Sequence, residues 1–346
     1  MVSVKGKLFE FFVSRLLMFC GFKPVVKDGL LVFDGNPGTM VQGLGQAHNA
    51  DVLLEPPFQT PFYFSTRLLV ECKCYSDTIG LPVIRNAFGL REDINRFDIV
   101  TEEILRNRQS QRTTNPTFYP MKRYNYQVAV ASLNGYKSTA IPYAQAHKIP
   151  LISFSESALF DAIRECINLI EERSIGDEVF AGNVLSCLRS VQSDTYYDVQ
   201  CFGFSEEMRS FLENVEMFRD KILVGLLENG TIIFLIRTGE QRHSSRNRML
   251  ENEQYGDGFK IYWNHNSSSW ELIDGDQSYL FELPKEIYKE WIESMAERRE
   301  AALQIKQSYF SKIILFESVP NCEGSVRTIY LSERFIEDAR NQLRGR

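Results

Sequence analysis

Two stretches, Gly43-Leu44-Gly45-Gln46-Ala47-His48-Asn49-Ala50-Asp51-Val52-Leu53-Leu54-Glu55 and Leu68-Leu69-Val70-Glu71-Cys72-Lys73-Cys74-Tyr75, decide how this chain folds. The apolar runs 51–54 and 68–74 are short, and a proline- and aromatic-rich connection separates them. That pattern predicts two strands, paired antiparallel. Successive strand side chains alternate, so Glu71 and Lys73 fall on one face and Val70, Cys72 and Cys74 on the other. A run this apolar is expected to be buried, which brings a carboxylate and an ammonium side by side into the interior. The alternative is a solvated face bearing Glu71 and Lys73, with Asp51 in a turn.

Asp51 opens the first of the two strands and supplies a second carboxylate across the ladder. Two carboxylates and the main-chain carbonyl of Cys72 form an oxygen-rich set of the kind Mg2+ prefers, with Mn2+ as a substitute, and leave positions for water and a phosphate. Beside such an ion, Lys73 would orient or deprotonate an attacking water and balance charge. The chemistry expected of Asp51, Glu71 and Lys73 is therefore phosphodiester hydrolysis.

Asp51 followed by Glu71-Cys72-Lys73 on the next strand resembles the PD-(D/E)xK nuclease signature, without the proline before the aspartate. The wider frame is similar to the Mrr-type restriction endonucleases. It includes a first helix with Gly6-Lys7-Leu8-Phe9-Glu10, a closing Cys20-Gly21-Phe22, and the Gly43-x-Gly45-x-x-His48-x-x-Asp51 approach. It continues through the helix after Gly80, the strand Gln127 to Leu133, a short helix around Ala140 to Ala146 and the strand Ile149 to Phe154. The resemblance covers about the first 155 residues. It implies a restriction-endonuclease-like mixed sheet flanked by helices, an endonuclease acting on double-stranded DNA, and service in restriction or antiviral defence. It also implies that Glu10 faces the metal and assists it, and that His48 touches the scissile phosphate or a neighbouring nucleotide. From the residues alone, Glu10 is equally a solvated helix carboxylate and His48 a structural hydrogen-bonding group. Gly43 and Gly45 either contact phosphate through bare amides or make a turn. A junction resolvase, an exonuclease at DNA ends or an RNA nuclease would share the fold. A catalytically silent DNA-binding scaffold differs in class, and the costly burial of its charges argues against it.

Composition bounds these readings. With 346 residues, 44% of them apolar, the chain can bury substantial cores and has the length of two domains. Glu10 and Arg15 interrupt the apolar run from Leu8 to Phe22, no small-residue cleavage site follows, and no later run approaches membrane-spanning length. No membrane partner is expected. The seven cysteines show neither a disulfide framework nor a zinc spacing, which fits reduced thiols and a cytoplasmic location. Four histidines leave little scope for a histidine-rich metal centre. Charge is uneven: residues 1–155 carry 17 basic and 12 acidic side chains, net +5, and residues 156–346 carry 22 and 33, net -11. A polyanion would favour the first half.

Within that half no Asp or Glu occurs between 104 and 155. Arg106, Arg108, Arg112, Lys122 and Arg123 stand there among short polar residues and tyrosines, a composition suited to phosphates and groove edges. The nuclease domain is expected to span 1–174. Residues 175–346 read as an α+β domain, with strands near 194–204, 221–237, 258–263, 270–273, 312–316 and 325–331, and helices near 205–218 and after Pro284. Its aromatic content, including Trp263, Trp270 and Trp291, suits a core or a protein interface. This half is expected to mediate homodimerisation or to bind a second protein that gates the nuclease. Its basic stretch from Arg237 to Arg248 could touch nucleic acid or an acidic partner.

Overall fold

Helix α1 (Val4–Phe19) is the piece around which the rest packs. Its Ser3 cap accepts the Gly6 N–H at 3.3 Å, and apolar side chains then occur almost all round its axis. A helix of that kind must be covered on every side, and Leu8, Phe9, Phe12, Val13, Leu16 and Leu17 are all fully buried. The computed structural model describes residues 3–36, 38–59, 61–97, 106, 122–155, 157–192, 204–238, 258–264, 269–283, 307, 309–318 and 324–344.

The chain continues through β1 (Lys23–Pro24), β2 (Val32–Gly35), β3 (Gly38–Gln42), β4 (Ala47–Asn49), β5 (Val52–Glu55) and β6 (Ser65–Lys73). Strands β5 and β6 pair antiparallel with Val52 opposite Val70, as the two apolar runs predict. Strands β2, β3 and β4 form a separate three-stranded sheet. Helix α2 (Leu81–Asn95) starts at Gly80 with Pro82 in its first turn. Strand β7 (Tyr124–Ser132) lies parallel to β6, and helix α3 (Ile141–Ala146) carries the chain over to β8 (Leu151–Ser153), parallel to β7. This is the expected βαβ crossover.

Alternation along β6 sorts its side chains between two cores. Leu68, Val70 and Cys72 join the core around α1, whereas Leu69 packs with Val128 and Val130 in the core under α2. The far side of α1 is covered by α4 (Asp161–Ser174), α5 (Glu178–Gln192) and α6 (Glu206–Glu216), through Ile163, Ile167, Val184, Val191, Phe211 and Val215. Helix α5, absent from the sequence expectation, begins four residues past position 174 and belongs to the same core as α1. Arg15, 1% exposed, donates to the Val191 carbonyl near the C-terminal end of α5. The polypeptide on either side of 174/175 thus shares its largest core.

The sheet is shared too. A tight hairpin joins β9 (Ile222–Leu227) to β10 (Thr231–Arg237), and β10 adds parallel to β8 with Thr231 opposite Leu151. Beyond it come β11 (Lys260–Asn264), β12 (Ser269–Asp274) and β13 (Gln277–Phe281), with β14 (Lys312–Glu317) and β15 (Ser325–Tyr330) on the other side of β9. The antiparallel run β15-β14-β9-β10-β13-β12-β11 curls until Phe259, beside β11, bridges to Leu331, beside β15. Phe259 N donates to Tyr330 O at 2.8 Å, and a Cβ on the preceding Gly258 would meet that oxygen at 2.6 Å, so only glycine closes this seam. Leu235, Phe259, Tyr279, Phe281, Phe310 and Ile313 fill the interior, and α7 (Glu333–Arg344) adds Ile336.

The architecture is mixed α/β, a mixed sheet flanked by helices. Trp270 packs against the barrel-like core and pairs in register with Trp263. Arg237 is inside that closure, bonded to Glu317 Oε2 at 2.9 Å. Trp291, residues 239–248 of the basic stretch, residues 194–203 of the expected strand and the helix after Pro284 lie outside the described residues.

Candidate metal and hydrolysis site

The site forms where β5 begins and β6 ends. One step past the last ladder pair, Asp51 stands beside Glu71 and uses its side chain to continue the ladder: Oδ2 accepts the Cys72 N–H at 2.9 Å. A strand residue directs its N–H and C=O to the same edge, so the Cys72 carbonyl also faces the Asp51 side. Lys73 Nζ lies 2.7 Å from Glu71 Oε2 and 3.7 Å from Asp51 Oδ2. The alternation argument thus places the carboxylate and ammonium together, half-buried and away from the Val70–Cys72 face. Burial works against the Lys73 charge, but Glu71 and Asp51 outweigh it and raise its pKa, so the ammonium is the stable form.

Glu10 approaches from α1. Its Oε2 accepts a hydrogen bond from Lys7 Nζ at 2.5 Å. Burial nevertheless drives its pKa from 4.5 to about 7; Lys7 opposes the rise and the Asp51 charge adds to it. Burial also pushes the Cys72 thiol well up, aided by Asp51 and Glu10, and the Cys74 thiol to about 12. Neither sulfur supplies a thiolate nucleophile here.

Asn49, on β4, carries no signal in the sequence beyond its place before Asp51. Its Nδ2 donates to Asp51 Oδ1 at 3.2 Å, and its Oδ1 is buried without a protein partner. Asn134, just past β7, likewise holds the turn after Lys73 by donating to the Tyr75 carbonyl at 2.5 Å.

The donors fit a hard divalent cation in kind: carboxylate oxygens, a main-chain carbonyl, an orphaned amide oxygen nearby, and a third carboxylate whose pKa is raised chiefly by burial. Among the described residues no group of three or more His, Cys, Asp or Glu forms a ready cage. An ion held by Asp51, Glu71 and the Cys72 carbonyl would therefore keep several waters, as Mg2+ commonly does.

His48 has a different partner. Its Nε2 is 2.7 Å from Asp93 Oδ2 on α2, while Gly45 N donates to Asp93 Oδ1 at 2.8 Å and Leu44 N to the Asp93 carbonyl at 3.0 Å. A Cβ on Gly43 would collide with this carboxylate and lie 2.7 Å from Gln46 O. The glycines therefore make a turn that fits around Asp93, and His48 carries the hydrogen bond that its structural reading expects. Asp93 reads in the sequence as one of several mixed charges on a solvated helix face, and the structure corrects that: His48 and the Gly45 N–H hold its pKa below the ordinary value.

Lys122 and Arg123 are exposed just before β7. Parallel pairing sets Ser65 opposite Tyr124 and Lys73 opposite Ser132, so these bases stand at the far end of β6, about 26 Å from Lys73 at roughly 3.3 Å per residue. They do not join the Asp51 cluster. Arg106 is exposed, and Arg108 and Arg112 lie outside the described residues. No helix among the described residues is long and apolar enough to cross a membrane.

No family model and no curated protein matches this chain. A solved structure described as "Crystal Structure of Protein of Unknown Function AF1548" aligns with 61% of this chain and 97% of its own at 16% identity, with a TM-score of 0.33. A likeness that low carries no argument about fold or activity.

Proposed function

We propose that this chain is a Mg2+-dependent endonuclease of double-stranded DNA, built on the PD-(D/E)xK plan in its Mrr-like form and serving in restriction or antiviral defence. The observation that carries the reading is the position of Lys73 Nζ, within 2.7 Å of Glu71 and 3.7 Å of Asp51, at the carboxyl end of a strand whose other face is buried.

Asp51, Glu71 and the Cys72 carbonyl would hold Mg2+, with Mn2+ as a substitute. When bound, the ion polarises a phosphate and lowers the pKa of a water. Asp51 is oriented for this by two hydrogen bonds, from the Cys72 amide and Asn49. Lys73 keeps its proton and positions the attacking water through it, which suits orientation better than deprotonation given the raised pKa. Glu10, close to half protonated near neutral pH, is placed to exchange a proton at the same cluster.

Two strands must be cut to break a duplex, so a homodimer supplies two centres at once, and a second protein bound by residues 175–346 would restrain it. Because α5 and α6 cover α1, these questions are put to the full chain. The test is cleavage of linear, circular, methylated and branched DNA in Mg2+ and in EDTA, with light scattering for assembly. Mg2+-dependent product formation supports the reading, and equal cleavage in EDTA contradicts it.

A further inference from the structure

The carboxyl ends of the parallel strands gather a second set of polar groups. Lys73 stands opposite Ser132, and Ser132 opposite Ser153. Ser153 therefore ends β8 two strand spacings from Lys73, roughly 10 Å. The chain leaves β7 toward the α2 core, where Ala140 and Ala144 are buried, and leaves β8 toward the α1 core, where Phe160 and Ile163 are buried. Neighbouring parallel strands whose connections part in this way leave a crevice beyond their carboxyl ends, the usual place for a ligand in an α/β sheet.

A narrow cleft opens beside that crevice. Ser153, Ser155, Ser157 and Glu282, just past β13, supply its polar lining, and Phe160 and Phe234 part of its apolar wall. Glu282 Oε1 accepts the Ala158 N–H at 3.0 Å, at the turn (Ala158–Phe160) that leads into α4. Its Oε2 is buried and completes no hydrogen bond; nor does the hydroxyl of Ser157, which is 7% exposed. Burial raises the Glu282 pKa, although Ser157 stands near enough to oppose the rise, as do the Leu159 and Ala158 N–H groups. A buried acceptor without a donor is costly, and the cleft admits a group about the size of a water molecule. Because backbone N–H groups already offset the carboxylate charge, a neutral donor suits this oxygen better than an ammonium. The apolar wall suits a flat ring that carries the donor. An exocyclic amino group at the edge of a nucleobase has both properties, and a glutamate is a natural acceptor for it.

We propose that Glu282, with Ser153, Ser155 and Ser157, receives the amino edge of a cytosine or adenine base in preference to thymine. At roughly 10 Å from Lys73, the base belongs to a nucleotide neighbouring the bond under attack. That placement rests on the nuclease reading; the base pocket itself does not.

Fluorescence anisotropy of the full chain in EDTA tests it, with labelled oligodeoxycytidylate, oligodeoxyadenylate and oligothymidylate of equal length. The first two should bind about tenfold more tightly than the third. Glu282→Gln keeps an acceptor for Ala158 but turns an amide N–H toward the cleft, and should bring all three within about threefold. Ser155→Leu fills the cleft from its half-buried rim and should do the same, which keeps the test decisive if Glu282→Gln fails to fold; circular dichroism checks both. Displacement by free deoxycytidine and not by thymidine upholds a pocket open to the lone nucleoside, and a Glu282-dependent preference without such displacement upholds one that needs a strand. Equal or absent binding of the three oligomers by the unaltered chain, or a preference that survives in both variants, overturns the proposal. A Glu282-dependent preference in a chain that cleaves nothing in Mg2+ upholds the pocket and removes the nuclease reading. Cleavage in Mg2+ without that preference does the reverse.

Discussion

Asp51 and Asp93 have nearly the same local company and opposite situations. Each accepts a backbone N–H, from Cys72 and Gly45, and each lies near a basic side chain, Lys73 and His48. Around Asp93 the pairing is one to one, and the carboxyl is stabilised in its ionised form. Around Asp51 two carboxylates, Asp51 and Glu71, share Lys73, while Glu10, paired with Lys7, is driven by burial to a pKa of about 7, with the Asp51 charge adding to the rise. A satisfied ion pair is a structural clasp. Carboxylates held out of water cost stability, and the proposed metal would relieve that cost.

The largest expected effect separates the two by rate. Lys73→Ala and Asp51→Ala should each slow DNA cleavage by about a thousandfold or more, roughly 4 kcal/mol of transition-state stabilisation. Asp93→Ala should stay within about threefold, since its interactions are made equally in ground and transition states. Calorimetric titration with Mn2+ divides the first pair: Lys73→Ala keeps metal binding and Asp51→Ala weakens it. Loss of cleavage in Asp93→Ala equal to that in Asp51→Ala, with the fold intact, would erase the distinction.

A smaller effect concerns stability and pH. The Glu10 pKa is raised from 4.5 to about 7 in the folded chain, so folding favours its protonated form. That contribution is fully present below about pH 4.5 and is lost as pH climbs through 7. Without metal, Glu10→Gln should therefore be more stable than the unaltered chain at pH 8 by about 2–3 kcal/mol, and the difference should vanish near pH 4. Urea unfolding at the two pH values measures it; a variant less stable at pH 8 would show that the Lys7 pairing dominates.

The smallest effect has the other sign. His48→Ala should cost about 1 kcal/mol of stability, the usual worth of a partly exposed, hydrogen-bonded pair, with cleavage unchanged. Because the Asp93 pKa is lowered in the fold, its contribution is present above the ordinary aspartate range and is lost as pH falls through the depressed value. Chemical denaturation between pH 7 and 3 reads both. A large cleavage loss in His48→Ala would return His48 to the nucleotide-contact role.

Strand period and burial are local properties, which is why Glu71, Lys73 and Asp51 were legible as a group: the apolar neighbours alone set which side chains share a face. Asp93 was not legible because its partner lies 45 residues away on another element, and its own helix shows only mixed charges. The same reason hides Arg15, whose carbonyl acceptor is 176 residues distant. The strands of the second half were mostly visible, but their closure through Phe259 and Leu331 is a relation between segments with no shared periodicity. The boundary expected at 174/175 follows a change in composition, whereas the core follows α1, which needs cover from both sides.

On the proposed reading, Asp51, Glu71 and the Cys72 carbonyl at the end of β6 hold a metal for hydrolysis. The most direct test of that central claim is plasmid cleavage by the full chain and by Glu71→Ala, side by side in Mg2+ and in EDTA, with circular dichroism confirming that both are folded. Nicked and linear product from the unaltered chain in Mg2+ alone, and none from Glu71→Ala, is the expected result; undiminished cleavage by Glu71→Ala would contradict it.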